Sequence, residues 1–169
     1  GCNSGFFSIN LARQGHICLG VDINKRALLA ANLRKELAEV ETASFMYYRI
    51  TPESIKALPS CDITICLSVF HHWALRFGLQ GAIDILKQIV DQTNSMLFFE
   101  SAQTDSCSQK FRNVLPDMGA NPKEWLHQFL IELGFDEVHS LGRFETSDTN
   151  KSRRELMVGV KSQLSNSLG

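Results

Sequence analysis

The first 22 residues combine a glycine-rich turn, a helix and a strand in an order that constrains the fold more than any other stretch. The turn Gly-Cys-Asn-Ser-Gly is followed by a helical run to about residue 14, and an apolar strand at residues 17–21 ends at Asp22. A glycine turn at a helix N-terminus lets backbone N–H groups approach a ligand, and an acidic residue about twenty positions later can bind ribose hydroxyls. This order predicts a doubly wound α/β fold with a nucleoside site.

The glycine spacing within this turn distinguishes between nucleotide ligands. A dinucleotide-binding fingerprint places glycines at its first, third and sixth positions, and the last of these allows close helix–strand packing around a pyrophosphate. Phe6 occupies the sixth position here, which argues against a nicotinamide-dependent oxidoreductase. Glycines stand instead at the first and fifth positions, with Asn3 between them. Asparagine is one of the few residues besides glycine that tolerate a left-handed backbone.

The turn resembles motif I of the class I S-adenosylmethionine (AdoMet) dependent methyltransferases, a Gly-x-Gly-x-Gly turn whose middle glycine is replaced here by Asn3. The resemblance implies a doubly wound, mostly parallel sheet with a C-terminal antiparallel hairpin, and AdoMet as cofactor. In that family a strand precedes the turn, so we expect the first strand to be absent from this sequence. The predicted methyltransferase domain is residues 1–161, incomplete at its N-terminus, with a tail at residues 162–169.

The same resemblance implies which residues contact AdoMet. The turn and the acid that ends the next strand are near the methionine and ribose portions. Ile23 is placed to lie against the adenine or, alternatively, to pack under the next helix. The family commonly has an acidic residue near the adenine amino group where this sequence has Thr51. The predicted cofactor-binding residues are Gly1, Asn3, Gly5, Asp22, Ile23, Thr51, Leu67 and Ser68.

Candidate catalytic residues follow two apolar runs of the sequence. A buried strand at residues 61–70 leads into His71 and His72, which resembles the Ser-x-x-His-His loop of many small methyltransferases. Adjacent residues of a strand point to opposite faces, so at most one histidine is expected to act as a base. The alternative is that the pair caps the strand and packs under a loop. Glu100 ends a second strand, at residues 95–100, and either orients substrate, acts as a base or caps the following loop.

Patterning along the rest of the chain supports the same fold. Capping residues and apolar spacing predict helices at residues 25–39, 81–92 and from residue 121 to Gly134, with strands at residues 44–50, 137–141 and 155–161. Apolar positions of the first helix include Leu28, Ala31 and Leu37. The polar segment at residues 104–118 is expected to cover the acceptor site.

Composition limits the remaining possibilities. A net charge of −1 gives no electrostatic case for nucleic acid, so an RNA partner is possible but unsupported. Five cysteines without a Cys-x-x-Cys pair favour a reducing, cytoplasmic location. No run approaches the roughly eighteen apolar residues that a membrane span needs. Two neighbouring histidines without a third ligand make a metal site improbable.

The sequence therefore predicts an AdoMet-dependent methyltransferase with an unidentified acceptor, a small molecule or RNA. A weaker similarity is to the branch of the family that methylates RNA 5′ phosphates, although the segment Glu100-Ser101-Ala102-Gln103 departs from that branch. The alternative is a non-catalytic, methyltransferase-like binding subunit, which an exposed apolar patch at residues 111–115 would favour. The oligomeric state is left open.

Overall fold

The computed structural model describes residues 1–103, 107–145 and 152–162. The chain divides into two compact units, unit 1 at Gly1–Ile50 and unit 2 at Thr51–Gly169. The single domain at residues 1–161 stays a prediction. Residues 104–106 of the predicted acceptor-site cover and residues 163–169 of the predicted tail lie outside the described residues.

Unit 1 alternates helices and parallel strands. Its elements are α1 (Phe6–Ala12), β1 (Cys18–Asp22), α2 (Lys25–Leu37) and β2 (Ala43–Tyr47). The two strands pair in parallel, with Asp22 opposite Tyr47. A small apolar core is formed by Ile9, Ala12, Val40 and Ala43. The predicted order of turn, helix, strand, helix and strand is confirmed, although β2 ends earlier than the expected residue 50.

The N-terminus of α2 forms as its sequence predicts. The Asn24 side chain accepts hydrogen bonds from the backbone N–H groups of Arg26 and Ala27, which would otherwise lack partners in the first helical turn. Leu28 and Ala31 are buried as expected, but Leu37 is 86% exposed. The expected apolar role of Leu37 is wrong because it is the last residue of a helix that ends two positions earlier than predicted.

Unit 2 contains a four-stranded sheet that is parallel at one end and antiparallel at the other. Its elements are a 3₁₀ turn (Ser54–Ala57), β3 (Cys61–Leu67), α3 (Phe70–Gln92), β4 (Thr93–Glu100), α4 (Gln109–Arg112), α5 (Pro122–Glu132), β5 (Glu137–Glu145) and β6 (Arg153–Val160). The strand order is β3-β4-β6-β5. β3 and β4 are parallel, whereas β6 is antiparallel to both β4 and β5. The predicted α/β class and final antiparallel hairpin are confirmed. The described strands form two hydrogen-bonded sheets, β1-β2 in unit 1 and β3-β4-β6-β5 in unit 2.

The histidine pair lies at the start of a helix and not at the end of a strand, which corrects the sequence-based expectation. The strand ends at Leu67 because Ser68 adopts a left-handed backbone with φ 56°. The Val69 carbonyl then accepts hydrogen bonds from the N–H groups of His72 and Trp73, which close the first helical turn. α3 thus begins at Phe70, not at residue 81, and Gly78, with φ 75°, interrupts it ahead of the predicted stretch.

The core of unit 2 lies on the inner faces of α3 and α5. The Phe70 ring contacts Phe99 of β4 and Phe129 of α5, with ring centroids 5.8 and 6.0 Å apart. The predicted start of α5 is confirmed, since the Asn121 side chain accepts from the Glu124 N–H and Pro122 occupies the first turn. Packing on both sides of Phe70 fixes the N-terminal turn of α3, which carries the histidines.

None of the helices within the described residues combines the length and apolar character that crossing a membrane requires.

Candidate functional site

Asp22 connects the glycine turn to the carboxyl end of β1. Its Oδ2 accepts a hydrogen bond of 2.8 Å from the Asn3 N–H, and its Oδ1 accepts one of 2.8 Å from the Asn24 N–H. The Cys2 N–H also donates to the Val21 carbonyl at 2.9 Å. The carboxylate therefore holds the turn on one side and the start of α2 on the other.

These bonds keep Asp22 ionised. Partial burial would raise the pKa of Asp22, but the hydrogen bonds from the Asn24 and Asn3 backbone outweigh it, and the net pKa is lowered from its ordinary value. Each carboxylate oxygen has a second lone-pair direction beyond the backbone bond it accepts. Asp22 can therefore accept a further hydrogen bond from a ligand that carries neighbouring hydroxyls.

The conformation of the turn matches the sequence prediction. Asn3 has φ 50° and Gly5 has φ 75°, both in the left-handed region. A Cβ on Gly5 would lie 2.5 Å from the Phe45 ring, and a Cβ on Gly20 of β1 would lie 2.6 Å from the same ring. The Phe45 ring thus packs directly against the backbone of the turn and of β1. The role of Gly20 is a feature that the sequence analysis missed, because it depends on a residue of the neighbouring strand.

Ile23 is 53% exposed. This exposure does not fit the alternative in which it packs under α2. The contact between Ile23 and an adenine ring stays a prediction.

Thr51 caps the turn that precedes β3. Its hydroxyl accepts from the N–H groups of Glu53 and Ser54 at 3.3 and 3.1 Å, and it donates to Glu53 Oε2 at 2.8 Å. These three bonds use the hydroxyl's donor and both of its acceptor sites. A contact between the Thr51 hydroxyl and adenine would require one of them to break.

A buried ion pair lies at the carboxyl ends of β3 and β4. Ser68 Oγ donates to Glu100 Oε2 at 2.6 Å, and Arg154 Nη1 donates to Glu100 Oε1 at 3.0 Å. The side chains of Arg154 and Glu100 are only 8% and 13% exposed. Leu67 is half-buried beside this pair and is the register partner of Glu100. Both Glu100 oxygens are therefore engaged, and Ser68 serves to hold the carboxylate.

Arg154 is the principal site residue that the sequence analysis missed. It lies at the start of β6, where its register partner is Phe144 of β5. The neighbouring Glu155 is fixed by Gln103, which accepts from the Glu155 N–H and donates to its carbonyl, each at 3.1 Å. The only sequence signal was a basic residue immediately before the strand predicted at residues 155–161.

His71 is a buried, neutral histidine. It is 3% exposed, and its Nδ1 accepts a hydrogen bond of 3.1 Å from the Ala102 N–H. Burial, followed by the charges of His72 and Arg154, lowers the pKa of His71 to about 3. Its proton in the neutral form is therefore on Nε2. His71 fixes the segment after β4, in agreement with the alternative that the histidines have a structural role.

His72 is exposed, and its ring contacts two other rings, those of His71 and Phe111. Its ring centroid lies 4.5 Å from that of His71 and 5.2 Å from that of Phe111 in the α4 region. Partial burial, followed by the positive charges of Lys110 and Arg154, lowers the pKa of His72 below its ordinary value. The imidazole is therefore neutral near pH 7 and able to accept a proton.

None of the cysteines in the described residues forms a disulfide. Within the same residues, no group of three or more His, Cys, Asp or Glu side chains is arranged to hold a metal ion.

Comparison with known proteins agrees with this architecture. The family model described as a methyltransferase domain matches residues 1–97. The O-antigen chain terminator bifunctional methyltransferase/kinase WbdD of Escherichia coli is 34% identical over 102 residues, which cover 57% of this chain and 14% of WbdD. The chain thus spans about a seventh of the length of that relative.

Solved structures extend the likeness over most of the chain. A crystal structure of WbdD is 27% identical with a TM-score of 0.75 and covers 95% of this chain and 34% of that one. Magnesium protoporphyrin IX methyltransferase (ChlM) from Synechocystis PCC 6803, solved with bound SAM, is 22% identical with a TM-score of 0.65. It covers 96% of this chain and 67% of that one, and at this identity it shows the fold alone.

The α/β architecture and the matched family model identify a methyltransferase domain. The chain belongs to the methyltransferase domain family, and the sequence-based assignment to the class I AdoMet-dependent methyltransferases, a family of enzymes, is confirmed. The nicotinamide oxidoreductase alternative is not supported.

The low pKa of His71 predicts a specific dependence of stability on pH. In the unfolded chain His71 takes up a proton below pH 6.5, whereas in the folded chain it does so only near pH 3. The unfolded state therefore binds more protons in this window, and the free energy of unfolding should fall by about 1.4 kcal/mol per pH unit well below pH 6.5. The measurement is urea denaturation at a series of pH values.

The variant His71→Asn retains an acceptor for the Ala102 N–H and should lose this contribution to the slope. The matched control is His127→Gln, at an exposed position of α5. An equal slope in wild-type protein and His71→Asn would contradict the burial of a neutral imidazole.

Proposed function

We propose that the chain binds AdoMet and transfers its methyl group to an acceptor that carries an oxygen or nitrogen nucleophile. The observation that carries the proposal is the Asp22 carboxylate, ionised at the end of β1 and bonded to the Asn3 N–H of the glycine turn. Carboxylates in this position bind ribose hydroxyls, and a turn containing Gly1, Asn3 and Gly5 leaves the backbone open to a ligand. AdoMet has a ribose and no pyrophosphate, which suits a turn with Phe6 at the sixth position.

Catalysis by this chain would consist mostly of positioning. AdoMet supplies a methyl group that its sulfonium already activates. The protein must hold the nucleophile in line with the methyl carbon, so that one bond forms to that carbon as its bond to sulfur breaks and S-adenosylhomocysteine leaves. Ile23 would contact the adenine, and Thr51, Leu67 and Ser68 remain predicted cofactor contacts.

Of the three residues predicted as bases, we assign the role to His72. The His71 Nδ1 is occupied by the Ala102 N–H, and both Glu100 oxygens are bonded to Ser68 and Arg154. His72 is exposed and neutral near pH 7, so it can take the proton of a nucleophile that carries one. In this account His71 and Glu100 position the segments that surround His72 without accepting the proton themselves.

The names of the relatives, the net charge and the cysteines bear on the methyl acceptor and on the cellular location. The relatives are named for an O-antigen chain and for magnesium protoporphyrin IX, which are chemically different, so they do not define one acceptor class. An RNA acceptor has no support from the net charge of −1. Free thiols at all five cysteines are consistent with a reducing, cytoplasmic location.

The alternative of a non-catalytic binding subunit has less support. It would be favoured by an exposed apolar patch at residues 111–115. Leu115 is 8% exposed, and Phe111 is half-buried with its ring 4.5 Å from that of His71. This segment packs within unit 2 and presents little apolar surface to a partner.

Replacing Asp22 should weaken AdoMet binding by about 10- to 100-fold, since charge-assisted hydrogen bonds to the ribose are lost. The measurement is calorimetric titration of the full-length protein with AdoMet and S-adenosylhomocysteine, comparing wild type with Asp22→Ala. The matched control is Glu41→Gln, which removes an exposed carboxylate of the same unit, and this variant should bind AdoMet with wild-type affinity. A folded wild-type protein that binds neither compound would refute the proposal.

Replacing His72 should lower kcat by about 10²- to 10⁴-fold for an acceptor that must lose a proton, while AdoMet affinity stays unchanged. An acceptor found by screening with labelled methyl groups would be used. In the wild type, kcat should hold near neutral pH and fall only below pH 6.5, because the lowered pKa keeps His72 unprotonated above that value. A His72→Gln enzyme with wild-type kcat and the same pH profile would exclude His72 as the base.

A further inference from the structure

Arg154 has an unused hydrogen-bond donor in the interior of unit 2. Its Nε–H is buried and has no acceptor among the described residues. Nη1, by contrast, donates to Glu100 Oε1 at 3.0 Å and approaches Ser68 Oγ at 3.4 Å. A buried donor without a partner is costly, so such a group in a folded protein calls for an explanation.

The geometry of the guanidinium indicates what would satisfy this donor. The group is planar, and its Nε–H lies on the same edge as Nη2, where two parallel N–H bonds can bind the two oxygens of a carboxylate or phosphate. Glu100 is bound through Nη1, and the Nε–H of this edge has no acceptor among the described residues. The free edge therefore has the shape and charge for a second oxyanion.

The surroundings hold Arg154 in place before any ligand arrives. The β6 strand pairs with β4 and β5, and Gln103 bonds both the N–H and the carbonyl of Glu155, the next residue. Glu100 fixes the other edge of the guanidinium. A donor that is fixed in advance loses little conformational entropy when it binds, which makes this a preformed site.

Two charged side chains act on Arg154 and on its neighbour His72. Glu100 balances the charge of Arg154, and Lys110 of α4 adds a positive charge that acts on the neighbouring His72. The histidines beside Arg154 are neutral near pH 7, because their pKa values are lowered. The charge of Arg154 acts on the exposed His72, our proposed base, so we expect a group bound at Arg154 to lie near the acceptor nucleophile.

We propose that the free edge of Arg154 binds an oxyanion of the methyl acceptor, either a phosphate or a carboxylate. The inference rests on the proposed function, since it assigns this anion to the molecule that receives the methyl group. It makes Arg154 a specificity-determining residue that selects acidic acceptors and leaves neutral ones poorly bound. Glu100 and Ser68 position its guanidinium.

The test follows the Arg154 Nε–H signal directly in proton–nitrogen correlation spectra of the isotopically labelled, full-length protein. Inorganic phosphate, acetate and chloride are titrated separately at matched ionic strength. The variant Arg154→Lys keeps the positive charge but lacks the planar guanidinium and its two parallel N–H donors. The disappearance of the Nε–H signal in this variant assigns that signal to Arg154. We expect the variant to bind the favoured anion about ten-fold more weakly or worse. Arg76, an exposed arginine of α3, is the internal control. The same samples are titrated calorimetrically with AdoMet.

A saturable shift of the Arg154 signal by phosphate or acetate, absent for chloride and for Arg76, is the expected result. The anion that binds more tightly then indicates a phosphate-bearing or a carboxylate-bearing acceptor. No shift, or a parallel shift of Arg76, would overturn the inference even if AdoMet binds normally. Anion binding in a protein that fails to bind AdoMet would instead refute the proposed function and leave the anion site standing. The Nε–H signals are also assigned from triple-resonance spectra of the wild-type protein, so a misfolded Arg154→Lys variant would not prevent the test.

Discussion

The hydrogen bonds accepted by Asp22 organise unit 1. One carboxylate receives the Asn3 N–H of the glycine turn and the Asn24 N–H before α2, each at 2.8 Å. Asn3 is held in a left-handed conformation that would otherwise cost about 1–2 kcal/mol in an ordinary residue. Phe45 then packs against the backbone of Gly5 and Gly20. These contacts hold the turn and its ionised acid in the arrangement that the proposed nucleoside site requires.

A second carboxylate has a comparable organising role in unit 2. Glu100 joins Ser68, at the left-handed turn after β3, to Arg154 on the antiparallel strand β6. His71 similarly fixes the backbone after β4 through the Ala102 N–H. Groups that are used in this way are unavailable for chemistry. In the described part of this region, His72 and the Arg154 Nε–H are left available, and the proposed chemistry and acceptor recognition depend on these two.

Features set by neighbours in sequence were predictable, whereas features set by distant pairing were not. The caps at Asn24 and Asn121 involve residues two or three positions away, so a short pattern suffices. The histidine pair was misplaced on a strand because the apolar run continues to Phe70, and no glycine or proline marks the left-handed turn at Ser68. The Arg154–Glu100 pair joins residues 54 positions apart through the register of β6, which no local pattern encodes.

The most direct test of the central claim is a crystal structure of the full-length protein with S-adenosylhomocysteine. Our account predicts that the ribose hydroxyls donate to the Asp22 carboxylate at about 2.7 Å. The Asn3 N–H should remain bonded to the same side chain. A nucleoside bound elsewhere, with Asp22 contacting only its own backbone partners, would contradict the account, because the acid would then serve only to shape the turn.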